Sequence, residues 1–95
     1  MEFSWNAEKA RRNLAKHGIS FEAARQVFAD PHVVIVEDCE DENGEMRYHA
    51  IGYASAHRLL VAVFVIRHKR EQEVIHIISG RKAVAYDYST YADQF

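Results

Sequence analysis

Eight consecutive apolar residues, Leu59-Leu60-Val61-Ala62-Val63-Phe64-Val65-Ile66, constrain the fold of this chain more than any other feature. The run is far shorter than the roughly 20 apolar residues that a membrane-spanning helix needs. It carries no alternation of polar and apolar positions, so it reads as a central strand covered on both faces. The rest of the chain must therefore supply neighbouring strands and the layers that cover them.

The flanking segments fit that demand. Phe3 to Trp5 reads as a short edge strand. Asn6 is a good helix N-cap, and Ala7, Ala10 and Leu14 recur at the spacing of one apolar helix face. Lys9, Arg12 and Lys16 form a basic stripe on another face, and Gly18 suits the left-handed residue that ends a helix. Ser20 caps an expected second helix with Phe21, Ala24 and Phe28 inward, stopped by Asp30-Pro31. Beyond it the pattern predicts strands at Val33–Val36, Met46–Tyr53, Leu59–Ile66 and Val74–Ser79. The intervening acidic segment Asp38–Glu45 and the polar segment Arg67–Glu73 read as loops. The tail after Ala83 is compatible with a short, poorly propagating helix. The expected fold is α+β: two N-terminal helices, a four-stranded antiparallel meander and a C-terminal helix, forming one domain over residues 1–95.

With 95 residues, 48% of them hydrophobic, the chain can bury one modest core. Cys39 is the one cysteine, which excludes an internal disulfide and suits a reducing cytosol. The N-terminus has no signal-peptide pattern, so a soluble, cytoplasmic protein without a membrane role is expected. A formal net charge of −2 argues against nucleic-acid binding if taken alone. The charges are segregated, however. Acids crowd Glu37 to Glu45, and Arg58, Arg67, Lys69, Arg70, Arg81 and Lys82 crowd a later stretch, a pattern that can leave a locally positive cleft.

The stretch Val74-Ile75-His76-Ile77-Ile78-Ser79-Gly80-Arg81-Lys82-Ala83 reads as a strand running into a Ser-Gly turn. Arg81 and Lys82 then stand at the mouth of the last helix. Strand ends are rigid, and an Arg-Lys pair held there suits an anion such as a phosphate; the plainer reading is two solvated turn residues. Lys16 and His17 close the first helix, where cations complement the helix dipole without needing any further role. His17 can also transfer protons near neutral pH. His76 alternates with Val74 and Ile78 and reads as a half-packed strand histidine. The six histidines show no metal-ligand spacing and no cysteine partner, so no metal and no cofactor is expected.

Three blocks of residues, in order and in register, resemble the BrnT family of bacterial toxins. They are Trp5, Lys9, Asn13, Lys16-His17-Gly18 and Phe21; Arg47 with Ile51-Gly52; and Ile77-Ile78-Ser79 with Arg81-Lys82-Ala83. The resemblance covers nearly the whole chain. It implies a ribonuclease with a fold similar to RelE/ParE toxins, acting in a type II toxin–antitoxin system to inhibit translation. It also implies a DNA-binding, BrnA-like antitoxin, assembled as two toxins with two antitoxins. Asn6 stands where the family has aspartate, His76 where arginine is common, and Asp87 and Tyr88 where a Glu-Arg pair is usual; Tyr91 matches the family's tyrosine.

RNA cleavage through the 2′-hydroxyl needs a base, cations around the crowded phosphorus and an acid for the departing oxygen. Arg81 and Arg47 are assigned to the phosphate, Arg47 chiefly because it matches the family's mid-chain arginine. His17, Lys16 or Tyr91 is assigned to proton transfer, and Lys82 and Lys9 to substrate binding. The alternative is a weakened or inactive toxin-like module that binds an antitoxin or nucleic acid.

Overall fold

A computed structural model describes the backbone of residues 1–95 and every side chain except that of Ala56. The elements are β1 (Glu2–Ser4), α1 (Ala7–His17), α2 (Phe21–Arg25), a 3-10 turn (Gln26–Ala29), β2 (Val34–Glu40), β3 (Met46–Ala54), a second 3-10 turn (Ser55–His57), β4 (Arg58–Lys69), β5 (Gln72–Lys82) and α3 (Ala85–Ala92). The strands form one sheet in the order β1-β5-β4-β3-β2.

The fold is α+β, with corrections to the expected sheet and helices. The sheet is five-stranded and mixed instead of four-stranded and antiparallel. Strand β1 joins it parallel to β5, with Glu2, Phe3 and Ser4 beside Val74, Ile75 and His76. The expected second helix does not run on to Asp30. After five α-helical residues it tightens into the 3-10 turn, which brings Val27 into the core. Both hairpin loops are shorter than the sequence predicts. Strand β2 extends to Glu40, and β4 and β5 pair as far as Lys69 and Gln72. Only Arg70 and Glu71 separate those last strands, both with positive φ (52° and 65°), as a type I′ hairpin turn demands.

Strand β4 lies in the middle and is covered twice. On one face Leu60, Ala62 and Phe64 pack with Ile19, Ala24, Val27, Ala50 and Ala54 beneath α1, α2 and the 3-10 turn. On the other, Val61, Val63, Leu59 and Ile51 pack with Ile78, Ala83 and Tyr91. Helix α3 covers only part of this second face, so the Arg47–Arg67 end of the sheet keeps an open side.

Helix α1 docks differently from the expected Ala7-Ala10-Leu14 face. Leu14 is 52% exposed, while Asn13 is the buried residue of the helix at 8%. The cause lies in β5. Strand β1 pairs only with Val74–His76, which leaves the outer edge of β5 without a strand partner further along. Asn13 takes that place. Its Nδ2 donates to Gly80 O (2.8 Å) and to Ile19 O (2.9 Å), and its Oδ1 accepts from Gly80 N (3.2 Å) and Ser79 Oγ (3.2 Å). Buried backbone groups need partners, and one amide supplies three of them here.

Candidate active site

The expected Ser-Gly turn is also corrected: β5 continues through Ser79 and Gly80 to Lys82. A Cβ built on Gly80 would stand 3.0 Å from Ala24 Cβ and 3.3 Å from Ile19 Cγ2, so glycine here admits the helical layer and makes no turn. Arg81 and Lys82 are therefore consecutive strand residues and point to opposite faces. Arg81 pairs in register with Val61 and Lys82 with Leu60, one from each core cluster. They therefore do not face a single anion as a pair.

Arg81 already has an acidic partner. Its Nη1 donates to Asp87 Oδ2 at 2.7 Å and its Nη2 to Oδ1 at 3.5 Å; the side chains are 29% and 4% exposed. The same Oδ2 accepts the Val84 N–H at 2.8 Å, which binds the start of α3 to the end of β5. Burial alone would raise the Asp87 carboxyl. The Arg81 hydrogen bonds, the Val84 N–H and the Arg81 charge outweigh it and hold the group below its ordinary value.

Tyr91 lies away from the first-helix cations. Its hydroxyl donates to Asp30 Oδ2 at 2.7 Å, and its ring meets Tyr53 edge-on at 5.4 Å. Tyr53 and Arg47 are six residues apart along β3, about 20 Å at strand rise. Burial, then the hydrogen bond to the Asp30 carboxylate, pushes the phenol up to about 12.

The other expected residues converge. A cavity of about 290 Å³ is lined by Lys9, Arg12, Asn13, Lys16 and His17 from α1 and by Ile78 and Ser79 from β5. A second, of about 190 Å³, is lined by Lys9, Arg47, Val65, Arg67 and Ile78, with Asp41, Glu42, Asn43 and Glu45 of the β2–β3 loop. Lys9 and Ile78 belong to both, so the two adjoin as a trough between α1 and the β2–β3 hairpin. The basic stripe along α1 forms one wall. Arg47 and Arg67 stand on the other, where Glu45 holds Arg67 at 3.4 Å. Arg47 makes no ion pair among the described residues.

Arg81 is not part of this trough. Val61, its register partner, is four residues along β4 from Val65, roughly 13 Å at strand rise. A larger concavity, about 650 Å³ beside Met1, Phe3, Arg25 and Gln72, gathers none of the expected residues. Among the described residues no three metal-ligating side chains are grouped.

Arg67 and Ser79 were not singled out by the sequence as site residues. The signal for Arg67 was its place at the end of the central strand on the same face as Val63 and Val65. Ser79 lies inside a quoted motif, but only its bond to Asn13 shows which way it faces.

A family model described as "Ribonuclease toxin, BrnT, of type II toxin-antitoxin system" matches residues 5–87. Among solved structures, the ribonuclease toxin BrnT of Brucella abortus is similar, with a TM-score of 0.61 and 24% sequence identity over 88% of this chain and 97% of that one. At that identity the likeness bears on the fold. No curated protein sequence matches the chain at a significant level.

Proposed function

Since the chain belongs to the BrnT family of ribonuclease toxins of type II toxin–antitoxin systems, we propose that RNA is cleaved in the trough between α1 and the β2–β3 hairpin, without metal. The observation that carries this reading is the gathering of Lys9, Arg12, Lys16, Arg47 and Arg67 around two adjoining cavities, with His17 at one end. RNA phosphates lie along the trough, where the lysines act as point charges and Arg47 offers a planar fork to phosphate oxygens. His17 or Lys16 gives a proton to the departing 5′-oxygen. Arg81 acts from outside the trough, by fixing α3 through Asp87 and by presenting its remaining N–H donors to a substrate that extends past Ser79. Lys82, on the opposite face, is assigned to distal phosphates. Tyr91, protonated and bound to Asp30, serves as an anchor or as an acid.

A type II toxin has an antitoxin partner. The finer assignment is a DNA-binding, BrnA-like antitoxin in a complex of two toxins and two antitoxins, with an acidic amphipathic segment that enters the trough. A cytoplasmic location and a RelE/ParE-like mode of cleavage accompany this reading. The rival is a toxin-like binding module with weak or no activity, favoured by one observation: Arg81 is already engaged by Asp87.

Purified protein incubated with RNA in EDTA separates the two. Cleavage in chelator, lost in Arg47→Ala and Lys16→Ala and blocked by the neighbouring gene product, is the expected result. Cleavage that needs added Mg²⁺ or Zn²⁺ would remove the metal-free mechanism. Intact RNA together with tight antitoxin binding would favour the binding module.

A further inference from the structure

His76 lies on β5, held between β1 at the edge of the sheet and the central β4. Its register partners are Ser4 on β1 and Val65 on β4. Val65 lines the trough, and strand alternation puts His76 on the same face as Val65 and Arg67. The Ser4 hydroxyl lies 2.8 Å from His76 Nδ1. One ring nitrogen is thereby engaged, and the half-buried ring has Nε2 left for a second partner. We propose that His76, oriented by Ser4, is a general base for RNA cleavage in the trough. This inference rests on the trough being the RNA site.

The chemistry requires one tautomer. Nδ1–H donates to Ser4 Oγ, which leaves the Nε2 lone pair to accept the proton of the attacking 2′-hydroxyl. The 2′-oxygen bonds to phosphorus as the bond to the 5′-oxygen breaks, and the 5′-oxygen takes a proton from His17 or Lys16. The His76 imidazolium then passes its proton through water back to that residue, leaving a 2′,3′-cyclic phosphate, a free 5′-hydroxyl and neutral His76.

The surroundings suit a base that is unprotonated at neutral pH. Ser4 faces the ring from β1, Lys9 from α1, Arg67 from β4 and Glu45 from the β2–β3 loop. Burial first, then the Arg67 and Lys9 charges, lowers the imidazole below its ordinary value against the opposing effect of Glu45. The cations that disfavour imidazolium are the ones that would hold the phosphate beside it.

The test is kcat/KM on single-stranded RNA across a pH series for the wild type, His76→Ala, His76→Asn and Ser4→Ala. The expected wild-type profile rises through an acidic limb centred below about pH 6.5. His76→Ala and His76→Asn lose about 10²–10⁴-fold together with that limb, and added imidazole restores part of the activity of His76→Ala. Ser4→Ala moves the limb and loses less. A folded His76→Ala protein with wild-type kcat/KM and an unchanged limb would overturn the role of His76 while leaving the RNA site standing. A wild type that leaves RNA intact would overturn both. Should His76→Ala fail to fold, ¹⁵N NMR of the wild type decides. The Nδ1–H tautomer, with an Nε2 signal that moves on adding a 2′-deoxy oligonucleotide, is expected. An Nε2–H tautomer, or an Nε2 signal that ignores the oligonucleotide, refutes the proposal.

Discussion

The Arg81 guanidinium reaches across six residues of chain to the Asp87 carboxylate, at 2.7 Å, so the last strand and the last helix share one ion pair. Removing one member of a buried pair strands the other charge. Asp87→Ala is expected to cost about 2 kcal/mol, reduced from the fully buried case because Arg81 keeps some exposure. Urea denaturation measures it, and a loss below about 0.5 kcal/mol would mean that solvent already screens the pair.

Arg81→Ala is expected to weaken RNA cleavage, by up to about 10²-fold, through the loss of the donors it presents past Ser79 and of its hold on α3. Arg81→Lys, which keeps a charge near Asp87 but loses the planar fork, should recover stability more than activity. Full cleavage by folded Arg81→Ala would restrict this residue to holding α3.

Asn13→Leu removes every partner of the Gly80 N–H and C=O on their outer side and one partner of the Ile19 carbonyl. Each stranded buried group costs about 1–3 kcal/mol, and we expect a total on the order of 3 kcal/mol despite the apolar replacement. Amide exchange at Gly80 should rise by more than exchange at Ala62, which sits inside the sheet. Uniform protection in the variant would contradict the bridging role.

Asn13 also shows where the sequence was legible and where it was not. The double-covered central strand was readable because eight apolar residues leave few alternatives. The cations of the trough were readable because the Lys9-Arg12-Lys16 spacing marks one helix face. Hydrophobic periodicity pointed to Leu14 as the inward residue, but a half-open strand edge needs hydrogen-bonding groups more than methyl groups. Knowing that edge was open required knowing that β1 stops at Ser4. For the same reason Ser79-Gly80 looked like a turn: glycine as a turn former and glycine as a point of close approach are identical in sequence.

Gly52→Ala and Gly80→Ala should each destabilise by about 1–3 kcal/mol through overpacking. A Cβ at Gly52 would stand 2.9 Å from the Val27 carbonyl oxygen, a backbone atom with little freedom to yield, so Gly52→Ala is expected to be the worse of the two. Equal thermal midpoints for the wild type and both variants would show that the helical layer gives way easily.

Replacing Arg70-Glu71 with Asn-Gly should stabilise the β4–β5 hairpin by about 1 kcal/mol, because both native residues occupy the left-handed region. The thermal midpoint reads this directly. Unchanged or lower stability would indicate that the side chains of Arg70 and Glu71 matter more than their backbone angles.

Acid should weaken the fold through two carboxylates. Burial alone would raise Asp30, but N–H groups of Tyr53 and His32, the Tyr91 hydroxyl and the His32 charge lower it; Asp87 is likewise lowered. Folded values below the unfolded one mean that the unfolded chain binds more protons in that window, so stability rises with pH there. The contribution is complete above about pH 3.9 and is lost as pH falls through the folded values. Asp30→Asn with Asp87→Asn should flatten the urea midpoint between about pH 4 and pH 2. An unchanged slope would assign acid unfolding to other groups.

Ser4 meets His76 across 72 residues, and Asn13 meets Gly80 across 67. During synthesis the first helix therefore emerges long before the strand edge on which it docks, and domains cannot close such distant contacts until both partners have left the ribosome. A nascent chain that still lacks β5 has no trough and no Ser4–His76 pair. The trough therefore cannot form stepwise: its α1 wall is complete early, and it gains its floor only once β5 has left the ribosome.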